Sequence, residues 1–390
     1  MALVMETTGT AAWQLRRLGV VMEPNMADPN EVGGVLNPAV TRGPDGQLYL
    51  LPRLVAAGNY SRIGLSRVLF DRHHEPVGVE RLGVVLEPEA PYELNAHTGG
   101  GVEDPRVTNI AERGLYVMTY TALGAAGPRI AAAVSRDLLH WRRTGLVRFA
   151  PLQGIDLGAQ ENKDAVLFPE PVPAPDGRWA LAMIHRPMFA ARYRDWVYGV
   201  TARQGRGERR PCMWISYAPL DEFASGAHVV FGQHHLLAGP EHEWEHLKIG
   251  GGTPPVRVGH RWLVLYHGVS GRIVDGVDQQ QGVCYSAGAM LLDARDPRRV
   301  LYRSAHPILE PRVAAERMGV VPRVVFPTGV DVQGNDTLDV YYGMADSRIG
   351  VARASLADLA LRVPLVLHCA CHAHRSLDLV VTYALGPLAA

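Results

Sequence analysis

The chain has 390 residues, 47% of them hydrophobic, with 39 Lys plus Arg against 39 Asp plus Glu. This is ample material for a large core, and zero net charge argues against nucleic acid or an acidic membrane as partner. No stretch reaches the roughly 18 apolar residues of a spanning helix, four cysteines make no disulfide framework at this length, and the start MALVMETTGTAAWQLRR lacks the order of a secretory signal, so a soluble cytoplasmic protein is expected.

In chain order, residues 1–25 read as an N-terminal extension. From residue 26 the pattern repeats. LNPAVTRGPDGQLYLLPRLV is followed by VEDPRVTNIAERGLYVMTYTAL, then KDAVLFPEPVPAPDGRWALAMIHRP, GGTPPVRVGHRWLVLYHGV and VVFPTGVDVQGNDTLDVYYGMAD. Each has a proline-bearing strand start, a turn of Gly, Asp or Asn, and an alternating run rich in Leu, Val, Tyr and Trp. Third strands follow several of them: SRIGLSRVLFD, PRIAAAVSRDLLHW, MWISYAPLDEF, SAGAMLLDARDP and SRIGVARASLADL. Five such units at spacings of roughly 50 to 80 residues predict an all-β, five-bladed β-propeller over 26–362; a two-sheet sandwich is the competing architecture. Helical signal is confined to short pieces around Pro311–Met318 and Leu356–Leu361. The tail, 363–390, carries His368, Cys369, Cys371, His372 and His374, but their spacing matches no common zinc motif, and no metal site is expected.

Within this frame, the stretch GGGVEDPRVT places Glu103 and Asp104 side by side before Pro105. An Asp before Pro commonly caps a turn. Here the preceding glycines are expected to admit a ligand close to the backbone, and two adjacent carboxylates to push at least one pKa upward, as a general acid requires. Other strand starts supply Lys163 and Asp164, His185 and Arg186, and His267. In a propeller, the first strands of all blades line one central funnel. Basic groups recurring there would form an anion site, most simply for phosphate. Asp346, at the equivalent place in the last unit, is a candidate acceptor for sugar hydroxyls.

These motifs resemble glycoside hydrolase family 130, the β-mannoside phosphorylases and their hydrolytic relatives. The matching segments are GGGVEDPRVT, YVMTYTA, NKDAVLFPE, HRP, GGTPPV with WLVLYHGV, YSAGAMLLDARDPRRVLYRS, PILEP, and GVVPRVVFPTG with YYGMADSRIGVA, in family order over roughly residues 30 to 360. The resemblance implies a five-bladed propeller, with Asp104 as proton donor acting through a hydroxyl of the bound mannose. It places Lys163, Arg186, His267 and Tyr285 on phosphate, and Asn59, Ser61, Arg62, Asp164 and Asp346 on sugar, with Glu103 supporting the motif. The implied reaction is inverting phosphorolysis of a β-linked manno-oligosaccharide to α-mannose 1-phosphate, with inorganic phosphate as co-substrate and no cofactor or metal. A phosphorylase needs no carboxylate base, because its nucleophile is already an anion. The alternatives are a β-mannoside hydrolase, disfavoured by the retained cations, and a non-catalytic sugar-binding propeller, disfavoured by Asp104. The long connection from Ala190 to Trp214 and the loop at VPAPDGRW are expected to shape the acceptor side. Acceptor, linkage and oligomeric state are not legible, and a homo-oligomer is compatible with the chain.

Overall fold

The computed structural model describes residues 13–95, 99–220, 229–273, 280–334 and 336–362, with the short strands Val366–Leu367 and Leu379–Val380. The Cys/His cluster of 368–374 lies outside the described residues. The fold is all-β. β1 (Arg16–Met22) is the first strand among the described residues, but it pairs near the chain's other end, so the segment read as an extension contributes to a sheet.

The first antiparallel meander consists of β2 (Gly34–Arg42), β3 (Leu48–Ala56), β4 (Tyr60–Phe70) and β5 (Pro76–Leu86). The second consists of β6 (Gly100–Ile110), β7 (Leu115–Gly124), β8 (Gly127–Ser135) and β9 (Arg142–Leu146). A short parallel seam, Tyr60 to Gly100 and Ser61 to Gly101, joins these two into one sheet. The third contains β10 (Arg148–Phe149), β11 (Glu161–Leu167), β12 (Val172–Pro173), β13 (Trp179–Met188), β14 (Met213–Pro219) and β15 (Val230–Ala238). The fourth contains β16 (Lys248–Gly251), β17 (Val256–Val258), β18 (Arg261–Ile273), β19 (Gln280–Asp293) and β20 (Val300–Arg303). The last is β21 (Val325–Gln333), β22 (Thr337–Met344) and β23 (Arg348–Ser355), with β1 as its fourth strand. The two short helices expected near residues 311–318 and 356–361 are present at Ala314–Arg317 and Leu356–Arg362. An unforeseen helix, Arg194–Arg203, occupies the Arg-rich connection and buries Val197, Val200 and Thr201.

Period-2 alternation gives each meander two apolar faces, and neighbouring meanders bury them against each other. Among the described residues, five apolar clusters result. One joins Leu51 and Ile63 of the first meander to Val102 and Met118 of the second. Others join the second to the third through Val117 and Trp214, the third to the fourth through Ile184 and Trp262, and the fourth to the last through Leu265 and Val340. The fifth unites Tyr341 and Val351 of the last meander with Val35 and Leu50 of the first.

A polar cassette repeats between these faces. Glu93, Glu245 and Glu316, each fully buried, precede the first strand of their meanders. Each accepts from the backbone N–H groups three and four residues earlier, from a second-strand tyrosine (Tyr120, Tyr266 or Tyr342), and from a fourth-strand arginine (Arg143, Arg303 or Arg17). Such multiply bonded carboxylates satisfy their buried charge and clip the outer strand to the inner one. Arg17 lies on β1, so that strand occupies the same place as β9 and β20.

Candidate active site

The site grows from a local irregularity repeated in three first strands. Register breaks between Leu36 and Ala39 of β2, Glu103 and Arg106 of β6, and Lys163 and Val166 of β11. Each break holds a non-glycine residue in the left-handed region: Asn37 at φ 45°, Asp104 at φ 48° and Asp164 at φ 59°. Asx side chains tolerate this conformation better than others. The bulge turns each side chain out of the pleat, so Asp104, Asp164 and Asn37 share a repeat position.

Asp104 accepts from Asn37 Nδ2 at 2.8 Å and from Arg53 Nη1 at 3.3 Å. Arg53, on β3, also donates to Glu103 Oε1 at 2.6 Å and to Ser61 Oγ at 2.8 Å. Lys163 Nζ stands 3.7 Å from Glu103 Oε2. Glu103 is therefore a bridge between the arginine that holds Asp104 and the first cation of the anion site. Buried Arg106 donates to the Asp104 carbonyl at 2.8 Å and to the Gly252 carbonyl, and its Nη2 has no hydrogen-bond partner among the described residues.

Electrostatics here reverse one expectation. Burial alone would raise the Asp104 pKa, but Arg53, then Arg106 and Lys163, outweigh it and hold the carboxyl below its ordinary value. The adjacent carboxylate does not dominate, because Glu103 is itself paired to Arg53. Asp346 behaves oppositely. It sits at φ 49° in the turn between β22 and β23, and burial, reinforced by Asp104 and Glu103 against the opposing pull of Arg53, pushes it up to about 6.

The cation side centres on Asp164, which accepts from Arg186 Nε at 2.6 Å, with His267 Nε2 at 3.7 Å. Arg186, with Arg106, outweighs burial and keeps Asp164 well below the usual carboxylate range. His267 is not the cation expected from sequence. Its ring is fully buried, 4.4 Å from Phe326 and 5.9 Å from Tyr285 between centroids, and burial pushes its pKa down to about 3. It stands as a neutral imidazole whose Nδ1 has no described partner. Tyr285 is pushed up by burial to about 12 and stays a phenol.

His185 is likewise removed from the expected basic set. It lies in a buried chain running from Asn162 through His185, Ser216 and His234 to the Ala150 carbonyl, with contacts of 3.0, 2.7, 2.7 and 2.8 Å. The terminal carbonyl can only accept, so His234 donates from Nε2; with both rings neutral, Ser216 donates to His234 Nδ1 and accepts from His185 Nε2. Burial lowers both histidines' pKa values accordingly. The chain ties the residues next to Lys163 and Arg186.

Of the remaining expected residues, Ser61 is buried under Arg53, Arg62 pairs with Glu87 at 2.8 Å, and Asn59 is exposed at φ 59°. The glycines of GGGVEDPRVT also serve a different end from the one expected. A Cβ on Gly99 would fall 2.4 Å from the Asn59 carbonyl, and one on Gly101 (φ 108°) 2.2 Å from the Ser61 carbonyl. Their smallness admits the neighbouring strand β4 rather than a ligand.

Sequence reasoning missed Asn37, Arg53, Arg106 and Lys248. Asn37 was legible, because LNPAV and EDPRV align in the repeat. Lone basic residues inside strands carry no such mark. A cavity of about 720 Å³ between the second and third meanders is lined by Val117, Leu167, Met183 and Phe231 and contains none of the site residues.

A family model described as beta-1,4-mannooligosaccharide phosphorylase matches residues 13–192 and 224–361. The chain is 30% identical over 354 residues to a 1,2-beta-oligomannan phosphorylase of Thermoanaerobacter sp. (strain X514), covering 89% of this chain and 99% of the relative. It is 34% identical over 286 residues to a beta-1,2-mannobiose phosphorylase of the same organism, covering 73% and 72%. Its fold matches that of a beta-1,2-mannobiose phosphorylase from Listeria innocua with a TM-score of 0.66 at 23% identity, over 90% of this chain and 99% of that one. Match and motifs agree over most of the length: the chain belongs to glycoside hydrolase family 130.

Proposed function

We propose that this protein is an inverting glycoside phosphorylase that cleaves β-linked mannosides with inorganic phosphate to give α-mannose 1-phosphate. The observation that carries this reading is the convergence of Lys163, Arg186 and Lys248 beside the Asp104 cluster: Lys163 reaches Glu103, Arg186 holds Asp164, and Lys248 faces both cations. Relatives named as phosphorylases of β-1,2- and β-1,4-mannosides support the substrate class.

In the proposed reaction a phosphate oxygen attacks the anomeric carbon from the cation side, and the bond to the leaving oxygen breaks with inversion. The Asp104 proton reaches that oxygen through a mannose hydroxyl. Cations fixed in place stabilise the nucleophile's charge and aim it along the line of attack, so no carboxylate base is needed. The low pKa of Asp104 in the free protein fits an ordered reaction. A phosphate dianion near Lys163 and Arg186 offsets the field that keeps Asp104 ionised and raises its pKa, so the acid is charged with its proton when the nucleophile is in place. Asp346, Asn59, Ser61 and Arg62 are proposed to line the sugar side, Ser61 acting through Arg53.

We propose further that the five meanders close into a five-bladed propeller with the site in its central funnel. The apolar cluster uniting last and first meanders supports this, as does β1 completing the last one with the same Glu–Tyr–Arg cassette. The functional experiment incubates the protein with β-1,2- and β-1,4-mannobiose and other β-mannosyl disaccharides, with and without phosphate. Phosphate-dependent mannose 1-phosphate supports the proposal and names the acceptor. Free mannose independent of phosphate refutes it.

A further inference from the structure

Lys248 begins β16 two residues before Gly250, and residues two apart on a strand share a face. That face is the site's. A Cβ on Gly250 would lie 2.2 Å from Asp164 Oδ2 and 2.4 Å from His267 Cε1. Lys248 pairs with Val269 of β18, and Val269 with Tyr285 of β19. Its ammonium accordingly reaches over the Tyr285 ring, 5.4 Å from the centroid. The neighbouring charges are Arg186 from β13 and Lys163 and Asp164 from β11, with the neutral His267 and Tyr285 from β18 and β19. Asp164, the one carboxylate among them, is engaged by Arg186. Among the described residues Lys248 makes no ion pair.

A partly buried ammonium facing two other cations without a carboxylate of its own is poorly placed to keep its proton. An anion arriving between the three removes that penalty. We propose that Lys248 is a proton-accepting member of the anion site, uncharged in part of the free protein and protonated from solvent when a dianion binds. This rests on the phosphorolysis reading for the anion's identity, but not for its charge. Burial, then Arg186, brings the Lys248 pKa down to about 7, so the change falls in the neutral range. No covalent bond changes: one proton moves from the buffer to Nζ, and the anion then accepts a charge-assisted hydrogen bond. Anion affinity should therefore weaken as pH rises through neutrality even for an anion that does not itself titrate there.

The test is calorimetric titration of the full chain with sulfate, a dianion with no neutral-range titration, near pH 7 in two buffers of different ionisation enthalpy. The wild-type protein should take up a measurable fraction of a proton per sulfate bound. Lys248→Met should bind about tenfold or more weakly and take up a clearly smaller fraction, what Asp104 alone accepts. Lys248→Arg, whose guanidinium stays charged, should recover affinity with the same reduced uptake, which separates the effect from misfolding. Wild-type binding with no buffer-dependent heat overturns the proposal, as does a Lys248→Met protein with unchanged affinity and uptake. If either occurs while phosphate-dependent turnover persists, only this inference falls. If the wild-type protein binds neither sulfate nor phosphate, the phosphorolysis reading falls with it.

Discussion

Asp104 and Asp164 hold the same bulge in successive first strands, yet they are provided for differently. Asp104 shares one oxygen between Asn37 and Arg53, keeps 12% of its side chain exposed, and answers to Arg53, Arg106 and Lys163 together. Asp164 is locked by Arg186 at 2.6 Å, with only 3% exposed. One carboxylate is held so that its proton affinity can respond to what binds beside it. The other is spent on orienting an arginine. The same backbone device thus makes a reactive group and a structural one, and the deciding difference is what faces the residue before the bulge: Arg186 opposite Lys163, but Thr121 opposite Glu103.

The largest expected effect breaks this contrast at its reactive end. Asp104→Asn keeps the shape and the Asn37 and Arg53 neighbours but cannot deliver a proton. Turnover of the β-mannoside should fall by about a hundredfold to ten-thousandfold, with a melting temperature close to wild type. Near-full activity would remove Asp104 from the acid role.

The structural end responds in the opposite way. Arg186→Met leaves Asp164 buried without its partner, a change that typically costs about 3–5 kcal/mol, and it removes an anion ligand as well. A clear drop in denaturant midpoint together with a raised KM for phosphate is expected. A raised KM with unchanged stability would mean the pair is not what holds Asp164.

The smallest effect sharpens the comparison through pH. Asp346 has a folded pKa near 6 against an ordinary value of 3.8. The folded state therefore binds the extra proton between about pH 4 and 6, and stability falls as pH rises through that window. His267 acts with the reverse sign: its folded pKa near 3 against 6.5 makes stability grow with pH over that range. Asp346→Asn should abolish only the first contribution and stabilise the protein at pH 7 by on the order of 2 kcal/mol. An unchanged difference from wild type between pH 4 and 7 would contradict the burial of Asp346.

Much of this arrangement was legible in sequence because strand alternation and turn residues repeat five times, and because Asp104 and Lys163 stand near repeated strand starts; Arg186, expected at a strand start, lies instead near the end of β13. What was not legible depends on burial. His185 and His267 read as basic but are neutral, since nothing in HRP or YHGV reveals complete desolvation. Arg53 and Lys248 read as ordinary solvated charges, although cross-strand register sets them facing the site. The Arg194–Arg203 helix was hidden by a composition of arginines around Gly199, with only Val197, Val200 and Thr201 turned inward. The buried glutamates lie in loops that carry no shared motif beyond a lone Glu, and only the tyrosine and arginine they meet in space make them a repeat.

The central claim is that fixed cations replace a catalytic base, and isotope tracing tests it most directly. A β-mannobiose is cleaved in ¹⁸O-water with phosphate present, and the sugar product is examined at C1. The account predicts α-mannose 1-phosphate with no ¹⁸O between C1 and phosphorus. Two free mannoses per disaccharide cleaved, with no mannose 1-phosphate formed, would show that water, not phosphate, is the nucleophile.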